Sequence, residues 1–211
     1  METTKQHKLM ETPQTGRGDK RRAAILDAAT GIFLRDGYNG ASVAKIIEQS
    51  GGSKATLYGY FKNKEGLFGA VIERQCDDIL DLFQDYEDFG ETIDEILFEI
   101  GYRLSKALNT ENSINLFRII VAESQRFPEL GRLYYQSGPV RGYKMLSHYL
   151  SEMLELSEPE AELAATQFFD MVKAPLHLQL LIQHKNSVLD HEMRDNVKRA
   201  VKTFLRGVCS P

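Results

Sequence analysis

Tryptophan is absent from this 211-residue chain, cysteine occurs twice and proline six times. Cys76 and Cys209 are too few and too far apart for a disulfide framework or a cysteine-rich zinc site, and read as buried or terminal thiols rather than a redox switch. No apolar run approaches the roughly 18 residues of a membrane span. The polar segment 1–19 lacks the hydrophobic stretch of an export signal, so a soluble, cytoplasmic protein is expected. Also missing are a G-x-S-x-G elbow, a G-x-x-x-x-G-K-[ST] phosphate loop, a G-x-G-x-x-G turn and a Cys-His grouping, which leaves nucleophilic, nucleotide-dependent and hydride chemistry without local support. His177, His184 and His191 recur every seven residues, a spacing that does not gather three imidazoles around one ion as an i, i+4 pair would. Neither metal nor cofactor is expected, and an enzyme is the least favoured class.

Charge is present but unevenly placed. Residues 1–74 hold twelve Lys and Arg against eight Asp and Glu, net +4, whereas residues 75–211 hold fourteen against twenty-two, net -8. The overall balance of -4 therefore hides a basic module, which points to an anionic partner for the N-terminal third. The same division recurs at predicted helix ends. A helix N-terminus carries roughly half a positive charge and opposes a nearby cation by about 0.3 to 1 kcal/mol. Yet Lys20, Arg21 and Arg22 open the first predicted helix, Lys45 the second, Lys54 the third and Lys64 the fourth. The later helices follow the ordinary rule, with Thr92 before Asp94 and Glu95, Ser157 before Glu158 and Glu160, and Asp190 before Glu192. Phosphates at the early helix ends would reconcile the two patterns.

Residues 42–49 carry apolar side chains at helical spacing, Ser50-Gly51-Gly52 breaks that helix, and Ser53 is placed to cap the next. The result is a helix, a tight turn and a helix. Leu57 and Phe61, four apart, form the predicted buried stripe, facing Val43, Ile46, Ile25, Ala28 and Phe33. Lys54, Ala55, Thr56 and Tyr58 then fall on the exposed N-terminal half of the second of these helices, the part that enters the major groove in such a motif.

The run from Arg21 to about Glu73 carries Ala23-Ala24-Ile25-Leu26-Asp27-Ala28-Ala29, Phe33, Gly37-Tyr38, Ser42-Val43 and Thr56-Leu57-Tyr58-Gly59-Tyr60-Phe61-Lys62-Asn63-Lys64. It resembles the DNA-binding domain of TetR-type transcriptional regulators. Segment 1–19, which mixes Thr, Gln, Gly, Pro and charge without periodicity, is expected to be an N-terminal arm disordered when alone. The resemblance implies an all-α homodimer with a three-helix helix-turn-helix domain (20–66) and a helical ligand-binding and dimerisation domain (67–211). It further implies a double-stranded DNA operator of approximately palindromic form and a small-molecule inducer that releases it. On this reading Ala55 and Thr56 touch thymine methyls or base edges, Lys54 reads guanine or phosphate, and Tyr58 and Tyr60 bond phosphates. Tyr60 fits a core role nearly as well. Ser42, Thr56 and Lys64 match the family's phosphate-anchoring positions; Lys5, Lys8 and Arg17 could reach a minor groove, although a solvated tail is the preferred reading of those three. The pattern departs at Gly52, where valine is usual, and at Gly59, which offers no side chain.

Beyond Asn63 the chain reads as helices over about 63–83, 92–108, 113–126, 128–156, 158–184 and 190–208. Gly138-Pro139 and Pro175 are expected to kink or interrupt two of them. The segment 115–130 resembles the C-terminal domain of the efflux-regulator branch, of AefR-like type. In the family the last two helices pair with their copies, and Phe168, Phe169, Val172, Leu176, Leu180, Val197, Val201, Phe204 and Leu205 suit that burial. A ligand site would draw on Phe83, Phe98, Tyr102, Phe117, Phe127, Tyr134, Tyr143, Phe168 and Met171, whose aromatic and soft surfaces suit an apolar or aromatic molecule. Plain core packing explains each of these residues as well. Arg118, Glu123 and His177 are polar groups in apolar stretches, able to orient a ligand or to satisfy one another. The alternative function is a DNA-binding helical adaptor that acts through a protein partner, with no small-molecule inducer.

Overall fold

The computed structural model describes residues 16–84, 89–183 and 187–208, and all regular structure within them is helical. Lys5, Lys8, His184 and Cys209 lie outside the described residues, and so does most of the expected arm. Helix α1 (Arg17–Gly40) begins a turn earlier than the sequence suggests, because the Asp19 carboxylate accepts the Gly16 N–H and caps it. The basic trio Lys20, Arg21 and Arg22 is thereby moved off the helix end. The backbone of α1 leaves helical geometry at Gly37 (φ 73°), a left-handed position that glycine adopts without strain.

Helices α2 (Val43–Ser50) and α3 (Lys54–Phe61) are separated by Gly51 and Gly52, with φ 77° and 91°. Ser53 caps α3 by accepting the Thr56 N–H, and Asn63 caps α4 (Lys64–Leu80) by accepting the Gly66 N–H. A short 3-10 turn (Asp81–Phe83) follows. Helix α5 (Ile93–Leu108) opens with the Thr92–Glu95 capping box. Helix α6 (Glu111–Glu123) is capped by Thr110 and starts two residues before the expected position 113.

Helix α7 (Pro128–Tyr135), a π turn (Gln136–Val140) and α8 (Arg141–Met153) form one run. Pro139 cannot donate an N–H and crowds the preceding turn, and the wider π turn absorbs it. Helix α9 (Glu158–Gln183), by contrast, continues through Pro175 without interruption, and α10 (Asp190–Val208) closes the described chain. None of these helices is long and apolar enough to cross a membrane.

Two apolar clusters organise the molecule. The first joins Ile25, Ala28, Phe33, Ile46, Leu57, Phe61, Leu67 and Phe68 with Leu116, Ile120 and Leu130, so α6 and α7 pack on the N-terminal helices. The second joins Phe83, Leu97, Ile100, Leu146, Leu150, Phe168, Val172, Val197 and Phe204. This second cluster corrects the choice of residues for the dimer face. Phe168, Phe169, Val172, Leu176, Leu180, Val197, Val201 and Phe204 are all buried within the single chain, because α9 packs its apolar stripe against α5, α8 and α10. Outward-facing instead are Leu163, Leu178 and Ile182 of α9, together with Leu189.

Candidate nucleic-acid interface and ligand cavity

Burial of Leu57 and Phe61 turns the opposite side of α3 outward. Lys54, Ala55 and Thr56 are exposed, Tyr58 is half-buried, and the Lys54 ammonium lies 5.7 Å from the Tyr58 ring centroid. The Ser53 and Thr56 hydroxyls are 2.9 Å apart, which fixes the first turn of the helix. Ser42, N-cap of α2, is half-buried and makes no side-chain cap bond to that helix. The Tyr60 hydroxyl donates to the Gly18 carbonyl at 3.2 Å, tying α3 to the start of α1.

Lys64, matched from sequence to a phosphate-anchoring position, makes a contact within the protein. Its ammonium donates to the Asn39 carbonyl at 3.4 Å and lies 5.0 Å from the Tyr38 ring centroid, so it joins α4 to α1. Burial holds its pKa below the ordinary lysine value. The sequence also concealed Arg21, whose guanidinium donates to the last carbonyl of α2, Ser50, at 2.9 Å and lies against Gly51 and Gly52. Nothing in the local pattern marks a clamp twenty-nine residues away.

A cavity of about 410 Å³ opens between α4, α6, α8 and α9, with the π turn in its wall. Of the candidate ligand residues, Phe83, Phe117, Tyr134, Tyr143 and His177 line it, together with Cys76, Leu116, Ile120, Tyr135 and Phe169. The remaining candidates are used elsewhere. Phe98 stacks on Tyr102, whose hydroxyl bonds the Asp190 carboxylate. Phe127 stands edge-on to Tyr38 in the first cluster, Phe168 is fully buried against Phe204, and Met171 packs on the second cluster. The Arg118 guanidinium donates to the Leu180 and Leu181 carbonyls and to Asn115, tying α6 to α9. Glu123 accepts from Asn39 rather than pairing with Arg118 or His177. Helical phase explains the division. An aromatic in an apolar stretch is equally legible as core or cavity until neighbouring helices set its rotation.

Burial and the Lys173 charge push the His177 pKa down to about 4, against a smaller opposing pull from the Leu108 carbonyl, so the ring is neutral near pH 7. Burial likewise raises the Tyr134 phenol and pushes the Cys76 thiol up to about 12, which leaves Cys76 an unreactive wall atom.

A capped, solvent-facing helix after a tight turn, followed by a second helical layer, defines the class of helix-turn-helix regulators. Residues 25–71 match the bacterial regulatory proteins of the tetR family, and residues 95–207 match the AefR-like transcriptional repressor C-terminal domain. The chain belongs to the TetR family, whose members are transcriptional regulators and not enzymes. It is similar to the HTH-type transcriptional repressor ComR of Escherichia coli strain K12, at 46% identity over 56 residues, covering 26% of this chain and 27% of that protein. Matches to the first two curated relatives span only about a quarter to just over half of their length. Among solved structures, a TetR-family transcriptional regulator from Mesorhizobium loti MAFF303099 superposes with TM-score 0.82 at 26% identity, covering 91% of this chain and 98% of that one. The flavonoid-responsive regulator FrrA superposes with TM-score 0.72 at 26% identity, covering 89% and 96%.

Proposed function

We propose that this protein is a sequence-specific DNA-binding repressor, released from a palindromic operator by a small apolar or aromatic ligand. The observation that carries the reading is the α3 surface, where Lys54, Ala55 and Thr56 face solvent while Leu57 and Phe61 anchor the helix from behind. Two such helices in a homodimer would enter successive major grooves about 34 Å apart. Ala55 and Thr56 contact base edges, Lys54 a guanine or phosphate, and Tyr58, Tyr60 and the Ser42 hydroxyl the backbone. The cavity favours a ligand-responsive regulator over an adaptor without an inducer. The names of two relatives, a repressor and a flavonoid-responsive regulator, agree with it. Efflux genes are the expected targets, since exporters remove compounds of this apolar kind, and action on DNA places the protein in the cytoplasm.

Fluorescence anisotropy of the purified protein on its own upstream DNA, with random DNA as competitor, tests the proposal. Preferential binding is expected, with Lys54→Ala lowering the slope of log K against log salt by about one unit. Equal affinity for random and upstream DNA would overturn it.

A further inference from the structure

The cavity wall holds one polar atom that the protein leaves unsatisfied. His177 is 5% exposed, and its Nδ1 is buried without a hydrogen-bond partner. The Leu108 carbonyl lies beside the ring and favours an N–H facing it. That leaves Nδ1 as a lone-pair acceptor in need of a donor. Phe117 packs beside it, its centroid 5.4 Å from the imidazole and 5.8 Å from the Tyr134 ring, so an aromatic face lies between two polar ones.

The charged groups of the wall, Asp170 and Lys173, pair with each other at 3.7 Å. A ligand carboxylate or ammonium entering here would lose its water and meet a counter-ion already engaged. A hydroxyl group carries no such cost and can donate to the Nδ1 lone pair, which an ether cannot.

We propose that the cavity takes an uncharged, hydroxyl-bearing aromatic ligand whose hydroxyl group hydrogen-bonds His177. The proposal rests on the ligand-responsive reading above and adds to it the chemical class of the ligand. The ligand's ring lies along Phe117, which packs against the imidazole.

Three fluorescent probes of one shape separate the possibilities at pH 7: 2-naphthol, its methyl ether 2-methoxynaphthalene, and 2-naphthoate. The chain has no tryptophan, so probe emission is read directly. Titrated into the full-length protein, 2-naphthol is expected to bind roughly tenfold or more tightly than the ether, the factor set by leaving a buried acceptor unpaired, and more tightly than the naphthoate. In His177→Leu the preference for naphthol over ether falls to within about twofold. Should that variant fail to fold, the wild-type ranking decides by itself. Equal binding of naphthol and ether, a preference for the naphthoate, or a preference that survives His177→Leu overturns the hydroxyl inference alone. If none of the three binds, the aromatic-ligand reading falls with it.

Discussion

The side-chain amide of Asn39, next to last in α1, donates to the carboxylate of Glu123, the last residue of α6, at 2.5 Å. Around this bond Phe127 stands edge-on to Tyr38, and Lys64 donates to the Asn39 carbonyl. Helix α6 also supplies Leu116, Phe117 and Ile120 to the cavity. One rigid element thus forms a cavity wall at one part of its length and abuts the helix-turn-helix scaffold at its end. A ligand shifts the operator-binding equilibrium only through a difference in affinity between two states, and a shift of α6 is a direct way to create one.

Cutting this link should therefore separate binding from response. Asn39→Ala is expected to leave operator affinity within about threefold, while the ligand-induced loss of affinity shrinks fivefold or more, at the lower edge of typical coupling energies. Anisotropy titrations with and without ligand measure both quantities. An unchanged ligand response would show that coupling runs by another route.

Gly52 has two reasons to remain glycine, and they can be weighed. Its φ is 91°, and an added Cβ would lie 2.0 Å from Nη2 of Arg21. The second obstacle is the tip of a flexible side chain and can move aside, whereas the backbone cost of about 1 to 2 kcal/mol cannot. Gly52→Ala should lower stability by roughly that amount. Adding Arg21→Ala should restore little of it, as read by urea denaturation. Near-complete recovery in the double variant would make the Arg21 contact the governing effect.

The helix-turn-helix was legible because its determinants are local. Gly51, Gly52, the Ser53 cap and the Leu57–Phe61 spacing lie within eleven residues, and each says the same thing about the backbone. The tie that Lys64 makes to α1 was not legible, because the Asn39 carbonyl and Tyr38 ring that attract it lie some twenty-five residues upstream. In the second layer, the aromatics of α5, α6 and α9 share one composition. Only the packing of α9 on α5, α8 and α10 sends Phe168 inward to the core while His177, nine residues on, reaches the cavity. Phe169, assigned from sequence to the dimer face, lines the cavity for the same reason.

His177 also gives stability a pH dependence whose sign can be worked out. The unfolded ring takes up a proton near pH 6.5, and the folded ring stays neutral until about 4. Between these values the unfolded state binds more protons, so stability rises with pH and is lost on acidification. Each pH unit crossed within that window costs about 1.4 kcal/mol, so wild type should lose roughly 2 kcal/mol more than His177→Leu between about pH 7 and 4.5. Urea midpoints at the two pH values give the comparison. Parallel losses in the two proteins would mean that the buried ring does not titrate in this way.

The outward side of α9 carries Leu178 and Ile182, 56% and 65% exposed and four residues apart, with Leu163 at 59% further up the helix. On the expectation that the last two helices pair with their copies, these side chains, rather than the interior Phe168 or Val197, are the ones available to a second copy. Covering the remaining surface of one such side chain is worth about 1 kcal/mol. Replacing both Leu178 and Ile182 by Asp on each of two protomers therefore removes about 4 kcal/mol, or roughly a thousandfold in the dimer Kd. Light scattering across a concentration series should show monomers for this variant and dimers for wild type, with helical content unchanged by circular dichroism. Val197→Asp, which places a charge in the core, should instead unfold the domain. A dimer that survives both α9 substitutions would put the two-fold contact on another face.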